Sequence, residues 1–270
     1  MQTTANLWDQ LCQELESSRS VLTVEKLRLA AKQFKETATQ VFRNGSRRHC
    51  DALEMAGDVC QETGYYEEAA ADFEEALSEN LQAEHISAAS RIATKLALLF
   101  DQQEDVKAAR KYYLKAMELF ETGRDHSQHC MLLCNLAGIE RRAGNFKAAE
   151  AKYLKALEVS MGVHGEIDPE VALVCNNLGV AYCEVGDWTQ AETLHLRALG
   201  IREQVFGSMN PEVAQSLSNL AVLHHSSGNF AKAERYYEAA LKTYAATRLP
   251  DDPEIESVLV NFENLKKQKK

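Results

Sequence analysis

The sequence predicts an all-α solenoid of stacked helix hairpins with about 13 helices, and three observations carry that expectation. Segments beginning at Pro169 and at Pro211, 42 residues apart, agree at Pro, Glu, Val, Ala, an Asn-Leu pair, a Gly before an aromatic, Ala-Glu and Ala-Leu. A landmark of Gly, one residue, an aromatic, two residues and Ala starts at Gly64, Gly144, Gly186 and Gly228; a degenerate copy at Glu104 makes the spacings 40, 40, 42 and 42. Composition agrees: 45% apolar and 26% charged residues with only 4 Pro fit a folded, helix-rich chain.

Taken in order, residues 7–16 and 23–42 read as two helices, with Leu27, Ala30, Phe34 and Ala38 echoing the second helix of the unit. They form a divergent cap over 1–46, joined by Asn44-Gly45-Ser46 to five repeats at about 47–86, 87–126, 127–168, 169–210 and 211–249. In the fourth repeat Asp168 suits an N-cap and Pro169 the first helical position. Val174, Leu178 and Tyr182 recur on one face until Gly186 ends the helix. Asp187 then caps a second helix whose stripe is Ala191, Leu194, His195, Ala198 and Ile201. Small residues mark where the two helices cross: Gly57, Ala97, Ala137, Gly179 and Ala221 on first helices, and Ala76, Ala116, Ala156, Ala198 and Ala240 on second helices. Large ones alternate with them, at Phe73, Tyr113, Tyr153, His195 and Tyr237. Residues 250–270 read as a further first helix, with Phe262 in the place of Leu220, that shields the last apolar face.

The formal charge of −10 argues against nucleic acid, because binding a phosphate backbone needs clustered Lys and Arg. The one basic run, Lys266, Lys267, Lys269 and Lys270, reads as a solvated helix end or a weak contact for an acidic partner or membrane surface. The first residues have neither the apolar core of a signal peptide nor the Arg-rich character of a transit peptide, and no stretch is apolar enough to span a membrane. A soluble, cytosolic protein is expected. Seven Cys without an export signal suggest free buried thiols.

The recurrent Leu-Gly/Ala, Tyr, Gly-x-aromatic, Ala, aromatic and Ala-Leu positions resemble the tetratricopeptide repeat over roughly 47–265. Asn-Asn-Leu-Gly at 176–179, the segment 198–207 and Asn-Pro-Glu-Val-Ala at 210–214 resemble the kinesin light chain type of that repeat. The first two repeats look more like adaptor solenoids such as the family that links G-protein signalling to spindle orientation. No heptad stretch accompanies the repeats, which argues against a kinesin light chain itself. The resemblance implies a right-handed superhelix whose first helices line a concave groove for short peptides, often acidic ones.

With Leu178 facing the second helix, Leu173, Asn177, Val180 and Glu184 share the open stripe of their helix. Equivalent stripes carry Met131, Asn135, Gly138 and Arg142; Arg91, Lys95, Leu98 and Gln102; and Gln215, Asn219, Val222 and Ser226. Asn135, Asn177 and Asn219 thus form a ladder that Asn261 continues, with Asn176 beside it. An amide both donates and accepts, so such a ladder suits the backbone of an extended peptide; the competing expectation is that these Asn tie neighbouring helices together or face water. Arg91, Lys95, Arg141 and Arg142 would attract a carboxylate-bearing peptide, while Asp51, Asp58 and Glu62 make the first repeat acidic, a polarity that would fix peptide direction.

His129-Cys130 with Cys134 looks ligand-like, but His129-Cys130 repeats His49-Cys50, so an inherited packing position is expected and no metal. His224 takes the place of Tyr182 and is expected to be packed. No phosphate loop, nucleophile elbow or spaced carboxylate pair appears, so neither catalysis nor a cofactor is expected. The expected function is a non-catalytic adaptor that binds a protein or peptide partner in its groove. The alternative is an assembly subunit that docks through its convex face or ends, including onto itself.

Overall fold

A computed structural model describes residues 4–19, 23–120, 126–247 and 252–268, and no strand occurs among them. The helices are α1 (Thr4–Arg19), α2 (Val24–Val41), α3 (Arg47–Glu62), α4 (Tyr66–Gln82), α5 (Ile86–Gln102), α6 (Val106–Leu119), α7 (His126–Arg142), α8 (Phe146–His164), α9 (Pro169–Glu184), α10 (Trp188–Phe206), α11 (Pro211–Ser226), α12 (Phe230–Thr247) and α13 (Pro253–Gln268). They group into two compact units, Met1–Arg124 and Asp125–Lys270, where the repeat pattern predicts one uninterrupted solenoid. The division follows α6, at 14 residues the shortest of the second helices.

Local chemistry sets the helix starts. Asp168 and Asn210 stand in extended backbone and accept from the N–H of Glu170 and Glu212, at 2.8 Å each, with Pro169 and Pro211 behind them. Each cap satisfies an N–H that the helix itself cannot, worth about 1 kcal/mol. Asp187 and Asp105 do the same for the second helices α10 and α6.

The turn inside each hairpin needs one left-handed residue. Gly64, Gly144, Gly186 and Gly228 fill that slot at φ 77–83°, and the following N–H reaches back over the helix end, as Asp187 does to the Tyr182 carbonyl at 3.0 Å. In the degenerate copy Glu104 takes the same slot at φ 59°, which strains a residue with a Cβ. Glu104→Gly is therefore expected to stabilise unit 1 by about 0.5–1 kcal/mol, read as a higher urea midpoint with an unchanged slope.

In unit 1, α1 and α2 cover α3 through Leu27, Ala31, Phe34 and Ala38, with the Trp8 ring 5.6 Å from Phe42 and 5.9 Å from Phe34. The hairpins α3/α4 and α5/α6 follow, with Phe73 and Tyr113 fully buried between their helices. In unit 2 the hairpins α7/α8, α9/α10 and α11/α12 stack in order, and Tyr237 lies 5.6 Å from Phe262 of α13. The small crossing residues are sealed: Ala97, Ala137, Ala198, Ala221 and Ala240 have no exposed surface. Tyr182 departs from its expected place in the packing stripe; it is half-buried, edge-on to Phe146, with its hydroxyl on Glu150. The last helix, α13, buries Ile255, Val258, Phe262 and Leu265. No helix among the described residues is long and apolar enough to cross a membrane.

Candidate functional site

In unit 2 the first helices α7, α9, α11 and α13 lie side by side. Their common open stripe carries exposed Met131, Leu173 and Val222. Between them Asn135, Asn177 and Asn261 are half-exposed, and none has a hydrogen-bond partner among the described residues. The face is thus a strip of aliphatic side chains interleaved with amides that no described protein group engages.

Asn219, on the same ladder, is engaged. Its Nδ2 donates to Asn176 Oδ1 at 2.7 Å, and the same oxygen accepts from His195 Nδ1 at 2.8 Å. Asn176 is buried, 6% exposed, so it belongs to the packing and not to the groove. Because that oxygen can only accept, His195 carries its proton on Nδ1, which leaves Nε2 facing Cys183 Sγ at 3.9 Å. Burial pushes the His195 pKa down to about 4, so the ring is neutral. The ladder therefore divides, with one rung tying α9 to α11 and three open.

Unit 1 uses the same relation in charged form. Lys95 occupies the ladder slot of α5 and reaches back to Glu54 of α3 at 2.8 Å, as Asn219 reaches back to Asn176. Lys95 also binds both oxygens of Asp58 at 2.6 and 2.7 Å, and Arg91 grips Glu54 with Nε at 3.0 Å and Nη2 at 2.6 Å. Burial opposes ionisation of Glu54, yet the bonds from Arg91 and Lys95 prevail and hold its pKa below the usual range. Burial raises that of Asp51 nearby. Arg91 and Lys95 are thus not the uncommitted cations expected: the basic and acidic ends of the anticipated gradient neutralise each other. Glu54 was missed because it lies off the open stripe. The signal for it was a shared 37-residue offset, from Glu54 to Arg91 and from Asp58 to Lys95.

In unit 2 Arg141 is paired with Glu184 of α9, and Arg142 is exposed at the end of α7 close to Gly138. All seven Cys are free, and burial pushes the thiols of Cys50, Cys60 and Cys183 up to about 11. Such thiols are poor nucleophiles at neutral pH. Cys130 Sγ donates to the Ala156 carbonyl at 3.6 Å just as Ser90, one repeat earlier, donates to that of Ala116 at 3.1 Å, a packing role common to both. No group of three or more His, Cys, Asp or Glu able to hold a metal occurs among the described residues. His224 is buried and stacked on Tyr236 at 5.5 Å.

Hairpins with this 40–42-residue repeat and turn chemistry define a class of helical repeat solenoids. The chain belongs to the tetratricopeptide repeat family, whose sequence profiles match residues 87–165 and 170–246 and, separately, 51–82. Among solved structures it is similar to BtubC (BKLC) from P. vanneervenii, with 28% identity over 83% of this chain and 92% of that one and a TM-score of 0.70. It shares its fold with the apo form of RapI at 18% identity, 94% and 69% coverage and a TM-score of 0.77. It also shares it with a Rap protein complexed with Competence and Sporulation Factor, at 14%, 97% and 70%, with a TM-score of 0.64. No curated protein sequence matches.

Proposed function

We propose that this chain is a non-catalytic adaptor that holds a peptide segment of a partner protein on the first-helix face of unit 2. The observation that carries this reading is the set of half-exposed, unpartnered amides of Asn135, Asn177 and Asn261 between Met131, Leu173 and Val222. Half-exposed amides that no protein group engages are open to a ligand, and a peptide backbone offers matching donors and acceptors at each residue. That the fold can carry a binding partner is consistent with the Rap protein solved with Competence and Sporulation Factor. The expected preference for acidic peptides is not carried over, since Arg91, Lys95 and Arg141 are matched by Glu54, Asp58 and Glu184. The segment is instead held through its backbone and by apolar side chains lying over the aliphatic strip.

The test is selection of binders from an unbiased peptide library, followed by titration. Replacing Asn135, Asn177 and Asn261 together by Ala is expected to weaken binding about 10–100-fold, on the order of 1–1.5 kcal/mol for each lost hydrogen bond less non-additivity, with helicity intact. Binders that ignore the triple variant and respond to Arg91→Ala would refute this face.

A further inference from the structure

We propose that a cleft between α4 and α6, formed wholly by second helices of unit 1, is a separate docking site whose partner is an acidic amphipathic helix. The cleft has a volume of about 580 Å³. Leu77 and Leu81 of α4 line it together with Leu114 of α6, which is 44% exposed. Its shape is fixed in advance: Tyr112 is stacked on Phe100 at 5.5 Å, and its hydroxyl is held by Glu74 on the opposite wall. A groove of this size, floored by leucines and preorganised by an anchored aromatic, fits the apolar stripe of a helix presented at i, i+4 and i+7.

Charge selects the partner. Although the chain as a whole carries −10, α6 contributes Lys107, Arg110, Lys111 and Lys115 against the single acid Glu118. Lys111 and Lys115 stand on the cleft wall one turn apart. Among the described residues Lys111 reaches only the Tyr112 hydroxyl, at 3.3 Å, with its ammonium 4.5 Å from the Tyr112 ring centre. Among the described residues Lys115 has only an exposed i,i+3 contact with Glu118 at 3.2 Å, which an incoming carboxylate can replace. The facing wall carries one acid, Glu74, held by the Tyr112 hydroxyl, and is otherwise the neutral Leu77, Ser78 and Leu81, so the partner's acids belong on the α6 side of its apolar stripe.

The repeats supply an internal control. In unit 2 the same positions are Leu154, Leu157 and Met161 of α8 and Leu194, Leu196 and Arg197 of α10. There Arg197, in the slot of Lys115, donates to Met161 Sδ at 3.4 Å and spans the gap, and α10 has no basic surplus. The α4/α6 cleft is open because Lys115 turns along its own helix. This site does not depend on the first-helix face.

Two stapled helical peptides of about 18 residues, alike in their leucine stripe, one flanked by Glu and the other by Lys, serve as probes in fluorescence anisotropy with the full chain. The Glu-flanked peptide is expected to bind, to weaken as salt is raised, and to lose at least about tenfold in affinity to the Lys111→Glu, Lys115→Glu variant. Leu114→Asp is expected to abolish the signal, and Asn177→Ala to leave it unchanged. Circular dichroism checks that these exposed substitutions keep the fold. Equal binding of the Lys-flanked peptide, or no binding of either, would overturn the proposal. So would a dimer in sedimentation that Leu114→Asp makes monomeric, because the occupant would then be a second copy.

Discussion

Gly57→Ala is expected to destabilise unit 1 by about 1–3 kcal/mol, the usual cost of overpacking a closed core. A Cβ at this position would lie 2.6 Å from Phe73 Cε1 and 2.7 Å from Cδ1. The Phe73 ring has no exposed surface and so nowhere to retreat. The contrast is Gly200 in the interior of α10, where a Cβ meets nothing within 4 Å. There Gly200→Ala is expected to stabilise by about 0.5–1 kcal/mol, because alanine loses less backbone freedom on folding. Chemical denaturation of the two variants should move in opposite directions; a neutral Gly57→Ala would show that α3 and α4 can slide apart more easily than their packing indicates.

The second large effect is acid lability arising from His195. Its pKa falls from an ordinary 6.5 to about 4 in the folded protein through burial. Between those values the unfolded chain binds a proton that the folded chain refuses. The contribution is therefore fully present above pH 6.5, declines as pH falls toward 4 and changes no further below that. At about 1.36 kcal/mol for each pKa unit, the loss across this window is on the order of 3 kcal/mol. His224, also held below its ordinary value by burial, adds in the same direction. Urea denaturation at pH 7 and pH 4.5 is expected to show a smaller drop for His195→Phe than for the unaltered chain. The variant starts lower at pH 7, because Asn176 loses a donor. Equal drops in the two proteins would mean that His195 takes up its proton inside the fold as readily as in the unfolded chain.

The hairpins were legible because their signals are local. The Gly before an aromatic, the Asp168 cap and the 3.6-residue periodicity all act within one turn or one helix, and each appears where the spacing placed it. The open stripe was legible too, since it follows from the angle between Leu178 and Asn177 on a single helix. What the stripe's residues do was not. Asn219 and Asn177 have the same repeat position, yet one is tied and the other is not, because the slot that accepts from Asn219 is Asn176, whereas the slot facing Asn177 is Cys134. That difference needs two helices and a register between them. Likewise Arg91 and Lys95 read as available charge until Glu54 and Asp58, 37 residues earlier, arrive at bonding distance. The division after α6 was invisible for a similar reason, as the 40-residue spacing runs through it without a break.

The ladder slot binds backward, to the residue just before its counterpart on the preceding first helix, as an ion pair between Lys95 and Glu54 and as an amide pair between Asn219 and Asn176. The hairpins are consequently not interchangeable modules. A chimera that moved α11 behind α3 would set Asn219 against Glu54, and one that moved α5 behind α9 would bring Lys95 to the oxygen His195 already uses. A cut anywhere between α3 and α5, or between α9 and α11, parts a ladder residue from the helix it reaches back to, whereas a cut between α7 and α9 breaks no ladder pair, because Asn177 does not reach back.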